Sequence, residues 1–277
     1  MLDGGRLYTR RNHRCERRIR ERLRAMEERG LFGILSGGPG TGKTYTLARM
    51  VLEALRADPS LRLRLAAPTG KAAARMKESL SADLAGAGAP AFSPPAADTL
   101  HSLLGANPVT GVFRHGPGNP LPADWVVVDE ASMVDLLLFG HLLDALAPGA
   151  RLTLVGDPDQ LVSVERGSVL RDLCDGGHPV TRLSESRRFP PDGAIARFAA
   201  AVNRGDGETA LSLLRGGLPD LLWRDCGGTP DEAGPETLEG FRDAVRASFA
   251  AFAAARGIPV HPSLAAAVDA VLAADRA

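Results

Sequence analysis

Cysteine, lysine and long apolar runs are all scarce in this sequence. Cys15, Cys174 and Cys226 lie far apart and form no C-x-x-C pair, which disfavours a disulfide framework or a zinc site. No apolar run approaches the roughly 18 residues that a membrane span needs. The basic N-terminus has no apolar segment behind it, unlike a signal peptide. These absences predict a protein of the reducing cytoplasm with an ordinary hydrophobic core.

Charge is balanced, and lysine contributes little of it. Of the 33 basic residues only Lys43, Lys71 and Lys77 are lysines, and they share one short stretch of the chain. The formal net charge is zero, so the chain as a whole is not a general nucleic-acid-binding surface, and any such contact must be local. The 277 residues fit one large or two small domains.

Short apolar runs alternate with helical sequence through most of the chain. The apolar runs occupy residues 31–35, 63–67, 125–129, 152–156 and 180–183. Apolar periodicity predicts helices over roughly 14–29, 43–57, 70–84, 132–146, 193–204 and 207–215. This alternation predicts an α/β fold with a parallel sheet that helices cover on both faces. The sequence after about residue 191 is mostly helical.

Residues 36–44, SGGPGTGKT, form a candidate phosphate loop between a predicted strand and a predicted helix. The segment fits the pattern G-x-x-x-x-G-K-[ST], in which Lys43 reaches the β/γ-phosphates and Thr44 holds Mg²⁺. Glycines let backbone N–H groups turn toward phosphates, and the positive end of the following helix favours an anion. The predicted nucleotide-binding residues are Gly37, Gly38, Pro39, Gly40, Thr41, Gly42, Lys43 and Thr44. The alternative is a glycine-rich turn with an exposed lysine.

Asp129 ends the apolar run 125–129, and Glu130 follows it directly. Beside a phosphate loop, Asp129 would bind Mg²⁺ through water and Glu130 would polarise the attacking water. Two such carboxylates predict hydrolysis rather than phosphoryl transfer to a small acceptor. Without the phosphate loop, the alternative is a helix cap.

Gln160 follows the apolar run 152–156 in the segment GDPDQ. We expect this strand to lie beside the strand that ends at Asp129, so that the loop reaches the γ-phosphate from the side. A glutamine amide can donate to a phosphate oxygen and accept from water, which suits a sensor of the γ-phosphate. The alternative is a solvated loop glutamine.

Six segments occur in the order and wording of superfamily 1 DNA helicases, and they most resemble the RecD type, the alpha subunit of exonuclease V. The segments are SGGPGTGKT, APTGKAAARM, TLHSLL, NPLPADWVVVDEASMVD, VGDPDQLVSVERGSVLRDLC and LSESRRF. The resemblance extends over roughly residues 6–216. It implies a RecA-like P-loop NTPase lobe that uses ATP and Mg²⁺, moves on single-stranded DNA and has nuclease–helicase partner subunits.

The resemblance also implies the role of each side chain in the chemistry. The implied catalytic residues are Lys43, Glu130, Gln160 and Arg188. Thr44 and Asp129 are the implied metal ligands. Gln160 would couple the nucleotide state to DNA, and Arg188 of motif four would reach the γ-phosphate, with Arg187 as the alternative.

Two further segments are implied to face single-stranded DNA. They are Pro68, Thr69, Gly70 and Lys71 of motif Ia, and Thr99 and His101 of motif Ib. Independently, PTGKAA places backbone N–H groups, a hydroxyl and a lysine at a helix start, which suits a DNA phosphate. The alternative is a plain helix start, and a lone histidine is more often structural than a ligand.

The sequence departs from the family pattern in three ways. No glutamine lies about twenty residues before the phosphate loop, which leaves selectivity for ATP open. The large N-terminal domain that precedes the RecD motor is missing, and the sequence stops before motifs five and six, so we expect an incomplete motor half. The expected divisions are a charged helix and linker at 1–30, an ATPase lobe at 31–190 and an incomplete second lobe at 191–277.

Two other functions compete with the helicase lobe. A nucleotide-binding module or degenerate fragment would keep the phosphate loop without helicase turnover. A small-molecule kinase would need an arginine-rich lid, which is lacking, and would leave the GDPDQ segment unexplained.

Overall fold

The structure is a computed structural model that describes residues 2–3, 6–7, 10–86, 97–160, 169–184, 190, 192–218, 220, 221 and 223. The chain divides into two compact units, Met1–Ala196 and Arg197–Ala277. The first unit begins with two short antiparallel strands, β1 (Leu2–Asp3) and β2 (Arg6–Leu7), followed by the helix α1 (Arg10–Glu27). The three-part division expected from the sequence stays a prediction.

A six-stranded parallel sheet organises the first unit. Its strands are β3 (Phe32–Gly37), β4 (Leu63–Ala67), β5 (Ala97–Thr99), β6 (Trp125–Val128), β7 (Arg151–Gly156) and β8 (Val180–Leu183). They lie in the order β5-β4-β6-β7-β3-β8, and every neighbouring pair is parallel. All six strands therefore end at one edge of the sheet, where ligands bind in open α/β folds. The predicted parallel sheet is confirmed.

Helices cover both faces of this sheet, as the alternating elements predicted. One face carries α1, α4 (Leu100–Leu103), α5 (Leu136–Ala145) and α6 (Val169–Asp175). The other carries α2 (Lys43–Ala57) and α3 (Gly70–Gly86). Successive strand residues alternate between these layers: in β6, Val126 and Val128 pack on the first, whereas Trp125 and Val127 pack on the second.

The helix α2 shows how the sequence forms one of these layers. Its buried residues, Leu47, Ala48, Val51 and Leu55, recur at three- and four-residue intervals, which places them on one stripe of a helix. Asp58, in an extended conformation, ends the helix, and Pro59 disfavours helical backbone at the residue before it. The predicted bounds 43–57 are those observed.

One predicted helix was wrong in its extent. The single helix predicted over 132–146 is in fact one 3₁₀ turn, Ala131–Met133, followed by the shorter helix α5. The break occurs at Asp135, whose carboxylate accepts the N–H groups of Leu137 at 2.7 Å and Leu138 at 2.9 Å. This N-cap satisfies donors of the first turn and fixes where α5 begins.

The strand β5 was not predicted from the sequence. It has three residues, half-buried, with no apolar run among them. It exists because Leu65, Ala66 and Ala67 of β4 pair with it residue by residue. The helix α1 also begins four residues earlier than predicted.

Two helices, α7 (Ala194–Asn203) and α8 (Gly207–Arg215), lie in the last part of the described chain. Asp206 caps α8 by accepting the N–H of Thr209 at 3.0 Å. Among the described residues, no helix is long and apolar enough to cross a membrane.

Candidate functional site

The phosphate loop joins the end of β3 to the start of α2. Gly40 and Gly42 have φ angles of 77° and 87°, a left-handed conformation that glycine adopts without steric cost. Gly42 is the N-cap residue of α2 and offers no side-chain acceptor. The first N–H groups of this helix therefore have no capping side chain and suit an anion.

Gly37 has no room for a side chain. A Cβ there would lie 2.5 Å from Thr41 Oγ1 and 2.8 Å from the carbonyl oxygen of Leu183. The buried Thr41 hydroxyl donates to the carbonyl of Gly38 at 2.9 Å. Only glycine fits at position 37, since β8 and the loop approach it from two sides.

Lys43 lies folded over this loop. Its ammonium donates to the carbonyl oxygens of Gly37 at 2.6 Å and Gly38 at 3.0 Å. Its side chain and that of Thr44 are partly exposed, whereas Pro39 is exposed. The loop thus presents one cation together with the N–H groups of the helix start, a combination that binds polyphosphates.

Asp129 follows β6 directly and is held by its backbone and by its neighbour. Its N–H donates to the carbonyl of Ala66 at 2.9 Å, and its carboxylate accepts the N–H of Glu130 at 2.9 Å. Burial raises the pKa of Asp129, and the Glu130 charge raises it further, whereas the Glu130 N–H and the Lys43 charge lower it. Asp129, Glu130 and Lys43 are therefore close enough to interact electrostatically.

Glu130 has an unusual backbone conformation. Its φ of 51° and ψ of 38° are left-handed, and within the described residues it is the one non-glycine residue with positive φ. This conformation costs roughly 1–2 kcal/mol for a residue with a Cβ. The surrounding structure holds it: Glu130 precedes the 3₁₀ turn, and its carbonyl accepts the N–H of Met133 at 3.0 Å.

Close packing holds the 3₁₀ turn against β7. A Cβ at Gly156 would lie 3.2 Å from the backbone nitrogen of Ala131 and 2.7 Å from Leu170 Cδ2. The buried Ser132 hydroxyl has no hydrogen-bond partner among the described residues. Neither Gly156 nor Ser132 was among the predicted site residues, although Ser132 stands two positions after Glu130.

Gln160 lies in the loop after β7. The buried Asp157 accepts the N–H of Asp159 at 3.0 Å, and its carbonyl accepts the N–H of Gln160 at 3.3 Å. The strand β7 pairs with β6 on one side and β3 on the other. The predicted neighbourhood of this strand and the Asp129 strand is confirmed. Gln160 itself is exposed.

The segments expected to face DNA follow β4 and β5. Thr69 Oγ1 accepts the N–H of Ala72 at 3.2 Å, and Thr99 Oγ1 accepts the N–H of Ser102 at 3.1 Å. Both hydroxyls therefore support helix starts in this structure. Pro68 is half-buried, whereas the exposed residues are Thr69, Gly70, Lys71 and His101.

The sheet order brings these two segments together and sets them beside the nucleotide residues. Ala67 pairs with Thr99, and a Cβ at Gly70 would lie 3.9 Å from Thr99 Cγ2. Between them and the phosphate loop lie the ends of β6 and β7, which carry Asp129 and the Gln160 loop. Arg188 lies outside the described residues.

Comparisons with known proteins identify the family. A family model described as an AAA domain matches residues 20–217. The RecBCD enzyme subunit RecD of Mycolicibacterium smegmatis is 45% identical over 201 residues, which are 69% of this chain and 36% of that subunit. The ATP-dependent RecD2 DNA helicase of Deinococcus radiodurans is 36% identical over 219 residues, which are 73% of this chain and 28% of that helicase. A solved structure of Pif1 helicase from Candida albicans aligns with a TM-score of 0.43 and 18% identity, over 81% of this chain and 50% of that one.

This chain spans about a third of the length of the curated relatives that it matches. The AAA-domain match includes the phosphate loop, the acidic pair, the Gln160 loop and both segments expected to face DNA. The resemblance to RecD-type superfamily 1 proteins, predicted from six sequence segments, is confirmed by the identity to RecD. The chain therefore belongs to the AAA-domain family, and it is similar to RecD over 69% of its own length.

Proposed function

We propose that this chain is the ATP-hydrolysing lobe of a RecD-type DNA helicase and couples hydrolysis to binding of single-stranded DNA. The observation that carries the proposal is the convergence of three features at one edge of the sheet. They are the phosphate loop after β3, the Asp129–Glu130 pair after β6, and the Gln160 loop after β7 between them. The names of the relatives, a RecBCD subunit and an ATP-dependent DNA helicase, support it.

Each side chain has a proposed part in hydrolysis. Lys43, already at the mouth of the phosphate loop, would neutralise charge on the β/γ-phosphates. Glu130 would orient and polarise the attacking water. Arg188 would reach the γ-phosphate and stabilise charge in the transition state.

The donor set fits a magnesium ion that arrives with the nucleotide. Thr44 and Asp129 would hold it, because hydroxyl and carboxylate oxygens are the ligands that Mg²⁺ prefers, commonly one or two protein groups completed by phosphates. Within the described residues no group of three or more His, Cys, Asp and Glu side chains could hold a metal, so an all-protein cage is not expected. Bound Mg²⁺ would supply charge neutralisation on the phosphates.

The proposal assigns DNA contact to the segments after β4 and β5. The exposed Lys71 and the N–H groups at the start of α3 would bind a DNA phosphate, with Thr99 and His101 beside them. Such contacts to the backbone carry no base sequence. Gln160 would couple the presence of the γ-phosphate to DNA binding at these segments. We further propose that the protein works in the cytoplasm with nuclease–helicase partner subunits.

ATP hydrolysis by the purified chain, with and without oligo(dT), tests the proposal. We expect turnover that DNA stimulates and that Lys43→Ala lowers by about a hundredfold or more. Lys77→Ala is the matched control, since Lys77 is exposed on α3 away from the phosphate loop. Nucleotide binding without turnover would contradict the proposal and favour a nucleotide-binding module.

A further inference from the structure

A cleft of about 480 Å³ lies between α1 and α5, away from the phosphate loop. The residues that line it are Arg11, Arg14, Cys15, Arg18, Leu137 and His141. Cys15 is buried and Leu137 is half-buried, so they give the cleft an apolar floor. The three arginines form its rim.

The rim carries positive charge without full compensation. Arg11 and Arg14 are exposed, and among the described residues no carboxylate lies within ion-pair distance of either. Arg18 pairs with Asp144 at 3.1 Å, yet half of its side chain remains exposed. The whole helix α1 has eight arginines against three glutamates. The local charge of this face therefore differs from the zero net charge of the chain.

The cleft opens at the carboxyl edge of the sheet. Cys15 Sγ contacts the carbonyl of Leu136, the first residue of α5, at 3.5 Å. Arg22, two turns further along α1, donates to the carbonyls of Leu143 and Leu146 at the end of α5. The two helices thus run in the same direction. Because α5 begins just after β6 and the 3₁₀ turn, the arginines at the start of α1 lie toward the ends of the strands.

A row of three rings connects the cleft with the segment after β5. The rings of His101 and Phe113 are 6.0 Å apart, and those of Phe113 and His141 are 4.8 Å apart. His141 lines the cleft, and His101 belongs to the segment proposed to contact DNA. A strand that contacts His101 would need to continue only across Phe113 to reach the arginines.

We propose that the cleft between α1 and α5 binds the phosphate backbone of the same single strand that contacts Thr99 and His101. This inference rests on the proposed function and adds a second anchoring surface to it. The ligand is a nucleic-acid strand and not a free nucleotide, because the rings of His101, Phe113 and His141 link the cleft to the segment proposed to contact DNA.

The spacing of the arginines fits a phosphate backbone. Positions 11, 14 and 18 are three and four residues apart, so they share one face of the helix. They span roughly 10 Å along it at about 1.5 Å per residue, so their guanidinium groups can contact successive phosphates of one strand. The guanidinium group binds phosphate oxygens in a bidentate fork, and the apolar floor can pack against a sugar or a base.

Binding of a fluorescent 20-nucleotide oligo(dT) by the full chain, measured by anisotropy over a range of salt, tests the inference. We expect Arg11→Ala/Arg14→Ala to weaken binding about tenfold at 50 mM salt and to reduce the slope of log K against log salt by about 1.4, or roughly 0.7 per phosphate contact. Arg20→Ala/Arg24→Ala is the matched control. It removes the same charge from exposed positions of the same helix outside the cleft, and it should stay within about twofold of the wild type.

The outcomes separate this inference from the proposed function. If the wild type binds oligo(dT) and the two double variants reduce binding equally, or not at all, the inference about the cleft is overturned and the proposed function stays intact. A wild-type chain that binds no oligo(dT) would overturn both. A 20-residue poly-glutamate peptide that binds more tightly than oligo(dT), through Arg11 and Arg14, would overturn the inference in favour of an acidic protein partner. Unfolding midpoints confirm that each variant is folded.

Discussion

At the scale of single residues, Glu130 combines a carboxylate with a costly backbone conformation. Glu130→Gln keeps the size of the side chain and removes its charge, so the proposed polarisation of water is lost. We expect turnover to fall by about 10²–10⁴-fold, with nucleotide affinity within about twofold of the wild type. Turnover and nucleotide binding measured on the same preparation check this expectation.

Glu130→Gly distinguishes the role of the Glu130 carboxylate from the energetic cost of its backbone conformation. Glycine adopts a φ of 51° without the cost of roughly 1–2 kcal/mol that a Cβ brings. The greater conformational entropy that glycine loses on folding offsets about 0.5–1 kcal/mol of this gain in stability. The variant should be as stable as the wild type or slightly more stable, and as inactive as Glu130→Gln. An active glycine variant would show that the carboxylate has no part in hydrolysis.

The raised pKa of Asp129 predicts that the stability of the folded chain depends on pH. Burial and the Glu130 charge raise its pKa above the ordinary value of 3.8. A raised pKa favours the protonated acid in the folded state. Its contribution to stability is therefore full below 3.8 and is lost as the pH rises through the folded pKa. At neutral pH the ionised carboxylate makes the folded state less stable than a neutral group would.

Asp129→Asn tests this sign while keeping an acceptor for the Glu130 N–H. The variant should gain stability over the wild type as the pH rises, by about 1.4 kcal/mol for each unit of difference between the folded and unfolded pKa, and it should lose turnover. Urea unfolding at pH 5 and pH 8 measures the gain. An advantage that is absent at pH 8, or larger at pH 5, would contradict the direction assigned to this pKa.

At the scale of elements, the packing of the 3₁₀ turn on β7 depends on Gly156. In Gly156→Ala the new methyl group would meet the backbone nitrogen of Ala131 at 3.2 Å, and backbone atoms cannot rotate away as a side chain can. We expect the variant to be destabilised by about 1–3 kcal/mol, seen as a lower thermal midpoint. Gly33→Ala on β3 is the control, because nothing lies within 4 Å of its added methyl group. Equal midpoints would contradict the packing argument.

The sequence predicted elements that carry their own signal. The helix α2 was predicted with its observed bounds, because apolar spacing and Pro59 both mark it. The strand β5 has no such signal, since pairing with β4 and not apolar character defines it. The 3₁₀ turn was taken as helix because its apolar pattern continues into α5, and the cap at Asp135 was overlooked.

The candidate site also has parts that the sequence predicted and parts that it did not. The phosphate loop and the acidic pair are contiguous in sequence, so their motifs could be identified directly. The roles of Gly156 and Ser132 depend on contacts across 14 to 25 positions of chain or on burial. The cleft between α1 and α5 depends on packing of residues more than 100 positions apart, which local periodicity does not record.

At the scale of the whole molecule, the sheet order sets how the two proposed ligands communicate. The strand β7, which leads into the Gln160 loop, lies beside β3 and its phosphate loop, whereas β4 and β5 with the DNA segments lie beyond β6. Communication between ligands therefore crosses the end of β6, where Asp129 and Glu130 lie. If Gln160 couples the nucleotide to DNA, substitution of Gln160 should change the coupling between the two ligands more than it changes the affinity for either one.

We expect a non-hydrolysable ATP analogue to alter oligo(dT) affinity by some factor between about 5 and 150, and oligo(dT) to alter analogue affinity by the same factor. Gln160→Ala should bring that factor toward one while each separate affinity stays within about twofold. Asp159→Asn is the control, since it changes the neighbouring exposed side chain of the same loop. Affinities of both ligands, each measured with and without the other, give the factor twice. A factor that survives Gln160→Ala would contradict this role of Gln160 and would mean that the ends of β6 and β7, which separate the phosphate loop from the DNA segments, couple the two sites without this side chain.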